Sequence, residues 1–184
     1  MAEKEKSKSN RKVDKNSNPM RSIYIEKVTL NVGAGKNEDL LNKGLKLLQK
    51  LSPSRPVKTV TKKRIPGWGL RPGLAIGCKV TIRKDCRELL KRLVAAKGNV
   101  LKSDCFDSRG NFSFGIPEYI DIQGLSYDPE LKIMGLEVAV TLERPGFRVK
   151  KRRVQPPSTP GKAHLITKQE AIAFVKSELG AEVE

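Results

Sequence analysis

The sequence predicts an α+β protein, a two-layer sandwich in which an antiparallel sheet of about five strands carries helices on one face and leaves the other open. Three observations predict it. Five short stretches (23–32, 57–61, 76–83, 111–116 and 134–142) read as strands, most of them alternating apolar and polar residues so that one face is apolar. Three other stretches carry the apolar stripe of a helix packed on a core. In the strand at 76–83 the polar parity is cationic: Ile76, Cys78, Val80 and Ile82 point to a core, while Lys79, Thr81 and Arg83 line the opposite face. Such a face is either an ordinary half-solvated surface or a row of cations and donors presented to a polyanion.

The elements follow in order. Residues 1–19 are rich in Lys, Ser and Asn with almost nothing to bury, which predicts a basic tail disordered until bound. Residues 20–184 are expected to form a single α+β domain. In the first strand Val28, Leu30 and Val32 alternate with Thr29 and Asn31, and Gly33-Ala34-Gly35 then turns the chain into a helix. Asn37 is its expected N-cap, with Glu38 and Asp39 in the first turn. Leu40, Leu41, Leu45, Leu47, Leu48 and Leu51 give it a broad apolar face, and Ser52-Pro53 stops it. After the strand at 57–61, residues 62–73 hold two prolines and three glycines, which excludes an ordinary helix or central strand.

Beyond the cationic strand, a helix is predicted over 86–97, with Asp85 and Glu88 spaced as a variant capping box, Leu89, Leu90, Leu93 and Val94 buried, and Gly98 as C-cap. Phe112, Phe114 and Ile116 share one face of the fourth strand; Met134, Leu136, Val138, Val140 and Leu142 share one face of the fifth. A basic, Pro/Gly-rich loop is expected over 143–166. Thr167-Lys168-Gln169-Glu170 is a capping box that opens a C-terminal helix over 168–179, with Ala171, Ile172, Phe174, Val175 and Leu179 inward and Gly180 at its end.

Charge narrows the function. The 184-residue chain has a net charge of +17, the mark of a phosphate binder more than of an enzyme for neutral metabolites. Between Arg55 and Lys102 stand fourteen Lys/Arg against two acids, Asp85 and Glu88, whereas residues 104–143 reverse to eight acids against Arg109 and Lys132. That acidic segment is expected to be a solvated face or a contact with a basic protein. Cys78, Cys86 and Cys105 show no paired spacing, as expected of reduced thiols in the cytoplasm. No apolar run approaches the length of a membrane span, so no membrane partner is expected.

The chemical motifs point to binding. Val32-Gly33-Ala34-Gly35-Lys36 follows a strand and opens a helix but lacks the spacing of a nucleotide-hydrolysing phosphate loop. It is either a plain tight turn or a place where free amides and Lys36 meet an RNA phosphate. In Arg109-Gly110-Asn111-Phe112-Ser113-Phe114 the aromatics fall on the wrong parity for an RNA-stacking strand and belong to the core. His164 is the sole histidine and has no ligand cluster around it, so no metal and no cofactor are expected. No nucleophile–base pairing is present and no catalytic residue is assigned.

Three segments together resemble one family. Residues 25–36 (IEKVTLNVGAGK), 73–83 (GLAIGCKVTIR) and 106–116 (FDSRGNFSFGI) are similar to the large-subunit ribosomal proteins that bind 5S ribosomal RNA, the "L five" family. The likeness spans about residues 20–142, and the stretch from Glu143 to Thr167 resembles the archaeal and eukaryotic branch; the length suggests archaeal. The resemblance implies a structural protein of the central protuberance, cytoplasmic, that docks 5S rRNA on the large subunit. Its 5S contacts would fall at Asn31, Ser54, Thr81 and Arg83, with Lys79 beside them. The partners it implies are 5S rRNA, large-subunit rRNA, P-site transfer RNA and a small-subunit protein at an intersubunit bridge. The loop at 62–74 corresponds to one that approaches the elbow of P-site tRNA, where Lys62, Lys63, Arg64 and Arg71 supply charge and Trp68 either stacks on RNA or anchors the loop on its own domain. Lys150, Lys151, Arg152 and Arg153 are further candidate RNA contacts. The competing reading is a free-standing RNA-binding or RNA-chaperone protein.

Overall fold

The first predicted strand becomes the centre of the sheet. In the computed structural model, which describes residues 18–155, 158 and 160–184, β1 (Tyr24–Gly33) is flanked on one side by β3 (Ala75–Ile82) and on the other by β6 (Leu136–Glu143). The outer strands are β2 (Val57–Val60) and β5 (Phe112–Ile116), giving the order β2-β3-β1-β6-β5 with every pairing antiparallel. All five predicted strands are present, and the fold is the expected α+β sheet-and-helix architecture. The expected tail falls, up to residue 17, outside the described residues; Asn18 accepts from the Met20 amide and caps a short turn, Pro19–Arg21.

Parity decides which face is covered. Val28, Leu30 and Val32 of β1, Cys78, Val80 and Ile82 of β3, and Leu136, Val138, Val140 and Leu142 of β6 are buried on one side of the sheet. The helices α1 (Glu38–Leu51) and α2 (Cys86–Ala96) lie there. Gly44 brings α1 down on the sheet: a Cβ at that position would stand 2.9 Å from Cys78 Sγ and 3.1 Å from Val32 Cγ1. A buried Leu or Val in this layer contributes roughly 1.5–3 kcal/mol. The same burial pushes the Cys78 thiol up to about 11, so it behaves as a small apolar group.

The caps show where local spacing is enough. Asn37 Oδ1 accepts from the Asp39 and Leu40 amides, and Thr167 and Glu170 form the reciprocal box that starts α4 (Lys168–Leu179). Gly98, at φ 81°, ends α2 with its amide on Ala95 O while the Asn99 amide reaches Val94 O. The capping box expected at Asp85 is not formed. Asp85 adopts a left-handed conformation (φ 54°), and its side chain makes no capping bond. Leu40, expected to face inward, is 40% exposed, Leu45, Ile172 and Phe174 are only partly buried, and Ile76 is half-buried at the sheet's end.

Two short strands, β4 (Val100–Leu101) and β7 (Glu182–Val183), pair in parallel and were not expected. They tie the C-terminal end beside α2. The expected basic loop at 143–166 carries a helical turn, α3 (Arg148–Lys151), and a tighter turn at Lys162–His164. Its first cation is not a surface residue: Arg144 is buried, 2.7 Å from Glu170, and donates to His164 O and Leu165 O.

Candidate nucleic-acid interface

The uncovered face of the sheet is built by register. Antiparallel partners share a face, so Val57, Lys79, Asn31, Glu137 and Gly115 form one row across the five strands. The next row is Thr81, Thr29, Ala139 and Ser113. None of these residues is buried, and among the described residues no helix lies over them. The surface is shallow: small side chains, amides and hydroxyls, with no aromatic platform. Phe112 and Phe114, whose parity excluded them as stacking residues, are buried in the core with ring centroids 6.4 Å apart.

Thr81 also borders a cleft of about 500 Å³ at the end of the sheet. Ser54, from the segment after α1, and Arg83, just past β3, line the same cleft with Lys84 and Arg92. Three positions implied by the resemblance, separated by up to 29 residues, therefore converge, because β3 runs back alongside the end of α1. Asp85 and Glu88 share the rim and set a limit on how anionic the occupant can be at that end. Asn31 and Lys79 stand directly opposite each other one step along the face.

The arm between β2 and β3 is closed at its base by Thr61, whose amide donates to Leu74 O at 2.8 Å and whose carbonyl accepts from the Gly73 amide at 2.9 Å. Toward the tip, Ile65 pairs with Leu70 around a single turn, Pro66–Trp68. Leu70 is buried, but Trp68 is 70% exposed and projects outward. Lys62, Lys63, Arg64 and Arg71 are exposed. None of these four, nor Lys79 nor Arg83, forms an ion pair with another described residue.

Other candidates are placed differently. The Ala34 and Gly35 amides donate to Ile76 O at 2.9 and 3.0 Å, so the turn at residues 33–35 serves the fold and its amides are committed. Lys36 is exposed, and its side chain lies against Gly69 of the arm, where a Cβ would collide with it. Lys150 and Arg153 are exposed, and Arg152 is half-buried. Lys151 is held by Glu26 and by Glu143 at 2.6 Å. Burial works to lower the Lys151 ammonium, but the two carboxylates outweigh it and hold it above the usual lysine range. Burial works to raise Glu26, and Lys151 with Lys27 overcomes that and lowers it.

Sequence reasoning did not single out Glu137. It stands in the middle of the open face and accepts from Asn31 Nδ2 at 3.0 Å. Its outward parity in the fifth strand was readable; its meeting with Asn31 needed the register. His164 is bound into the loop, with Nε2 2.8 Å from Pro145 O. Among the described residues no group of three or more His, Cys, Asp or Glu could hold a metal ion, and no helix is long and apolar enough to cross a membrane.

Known proteins share this sequence along most of its length. The family described as ribosomal protein L5 matches residues 18–71, and the C-terminus of the same ribosomal family matches residues 75–174. The chain is 48% identical over 167 residues to the large ribosomal subunit protein uL5 of Nanoarchaeum equitans, covering 90% of this chain and 98% of that one. It is 44% identical to the proteins of the same name from Sulfurisphaera tokodaii and Nitrosopumilus maritimus, covering 90% of this chain and 94% and 95% of theirs.

Proposed function

The chain belongs to the ribosomal L5 family, as a structural, rRNA-binding protein of the cytoplasmic large ribosomal subunit and not an enzyme, and on that premise we propose that it docks 5S rRNA through the open face of its sheet and fixes that RNA in the central protuberance. One observation carries the reading: Ser54, Thr81 and Arg83 line a single cleft at the end of the sheet, and Thr81 continues from it onto the open face that carries Lys79 and Asn31. Cations take phosphates, and the hydroxyl and amide groups between them take sugar and base edges. The flatness of the surface suits an RNA helix better than splayed bases. In this reading residues 20–184 act as one RNA-binding domain.

The arm takes the second role. Its exposed Lys62, Lys63, Arg64 and Arg71 and its projecting Trp68 form a cationic tip with a stacking ring, the chemistry that fits the elbow of a P-site tRNA. Lys150, Arg152 and Arg153 offer further charge to large-subunit rRNA. The test is a gel shift of 5S rRNA with tRNA and duplex DNA as competitors. Selective retention of 5S rRNA supports docking by the open face; equal displacement by all three nucleic acids rejects it.

A further inference from the structure

A carboxylate stands in the middle of a face that is otherwise suited to RNA. Glu137 is exposed, and no Lys or Arg among the described residues pairs with it. Its neighbour on β5 is Gly115, which has no side chain to offer; its neighbour on β1 is Asn31. Among the described residues, the one hydrogen bond its side chain makes is from Asn31 Nδ2, at 3.0 Å. A carboxylate only accepts, so this contact settles which end of the amide faces it: the NH2 turns to Glu137 and Oδ1 turns away. On the other side of Asn31 stands Lys79, an ammonium that only donates, and it favours the same orientation.

We propose that Glu137 is a positioning residue for RNA recognition, holding the Asn31 amide so that its carbonyl oxygen is presented to a hydrogen-bond donor of the RNA, a 2′-hydroxyl or a base N–H. A phosphate oxygen is excluded from this spot, since it can only accept and the Glu137 charge repels it. Lys79 and Arg83 take the phosphates. The middle of the face reads a group that DNA lacks or that only certain bases expose. The proposal rests on the docking reading above and adds to it which polar group is read and why an acid belongs there.

The test separates charge from acceptor geometry. Glu137→Gln and Glu137→Ala remove the same charge, but only the glutamine keeps an oxygen for the Asn31 amide. Affinity for 5S rRNA is measured by filter binding for both, each also in an Asn31→Ala background, with thermal melts confirming the fold. Glu137→Ala is expected to bind about five- to tenfold more weakly than Glu137→Gln, in line with one lost hydrogen bond. The gap should close in the Asn31→Ala background, and the two variants should share one salt dependence. Equal affinity of the two variants, or a gap that persists without Asn31, overturns the positioning role. Wild-type affinity in a Thr81→Ala/Arg83→Ala variant overturns the docking reading itself, a different outcome. Deoxy substitution along the RNA then identifies the source: a position that weakens wild type but not Asn31→Ala assigns a 2′-hydroxyl, and none assigns a base N–H.

Discussion

Removing the tip of the arm should cost the fold almost nothing. The perturbation is deletion of residues 64–70 with a Gly-Ser closure, leaving the Thr61–Leu74 and Gly73–Thr61 bonds to seal the base. The deletion removes one buried side chain, Leu70, and two exposed large apolar ones, Ile65 and Trp68, at 37% and 70% exposure, with the exposed Arg64 and Pro66. Leu70 lies outside the continuous core, so its removal opens no cavity there. Its loss forfeits about 2 kcal/mol. The four backbone hydrogen bonds inside the tip are lost as well, at about 1 kcal/mol each. Against these losses seven residues are replaced by two, so five fewer have to be ordered, at roughly 1 kcal/mol of backbone entropy each. The balance stays near zero, and at about 2–4 °C per kcal/mol for a chain of this size the melting temperature should move by less than about 5 °C. Affinity for 5S rRNA should be unchanged, because the Asn31, Lys79, Thr81 and Arg83 surface is untouched. The deficit should appear in assembled ribosomes as weaker retention of P-site tRNA. A fall of more than about 10 °C would mean that the arm is a plug on the core, and the reasoning would be refuted.

The strand facing gives a second prediction. Thr81→Ala with Arg83→Ala should lower 5S affinity by about 1.5–3 kcal/mol per lost charged hydrogen bond with little change in the thermal melt. Ile82→Asp, on the buried parity, should prevent folding as read by circular dichroism; the reverse pattern would show the strand assigned backwards. Salt is the third: with roughly six phosphates neutralised, the log–log slope of 5S affinity against salt should be on the order of −4 to −5, and a slope near zero refutes phosphate docking. The fourth concerns Glu170. Burial works to raise its carboxyl, but the Thr167 amide and the Arg144 guanidinium outweigh it and hold the folded value below 4.5. Its contribution is therefore complete above the unfolded value and is lost as pH falls through the lower folded one. Glu170→Gln should flatten the acid limb of a pH–stability curve below about pH 4.5, and an unchanged limb would remove Glu170 from the account.

What was legible in the sequence is what depends on spacing alone. Strand parity placed Cys78, Val80 and Ile82 in the core and Lys79, Thr81 and Arg83 off it, since a period of two needs no knowledge of partners. Asn37 and the Thr167–Glu170 box were readable for the same reason. Asp85 had the right spacing but a left-handed backbone, which a sequence pattern does not reveal. The strands β4 and β7 are two residues long, too short to carry a period. Long-range pairing was beyond reach: Lys151 meets Glu26 across 125 positions, and Asn31 meets Glu137 across 106. Arg144 looked like any loop cation because its burial depends on α4 folding back to supply Glu170.

These pairings also change how the charge of +17 is understood. The acidic segment at 104–143 was expected to face solvent or a basic partner. Part of it is spent within the chain: Asp128 and Glu130 hold Lys50 and Lys46 of α1 at 2.5 and 2.6 Å, and Glu143 holds Lys151. Glu178 of α4 pairs with Arg87 of α2 in the same way. Acids thus quench some of the cations of α1, α2 and α3. Every Lys and Arg of residues 55–84 (Arg55, Lys58, Lys62, Lys63, Arg64, Arg71, Lys79, Arg83 and Lys84) is without an ion-pair partner among the described residues, as are others elsewhere, Lys43, Lys91, Lys97 and Lys176 among them. A uniformly basic surface would bind any polyanion in any orientation. On the docking reading proposed above, the unbroken run of unpaired cations along β2, β3 and the arm would orient an RNA before short-range contacts at Asn31 and Thr81 select it.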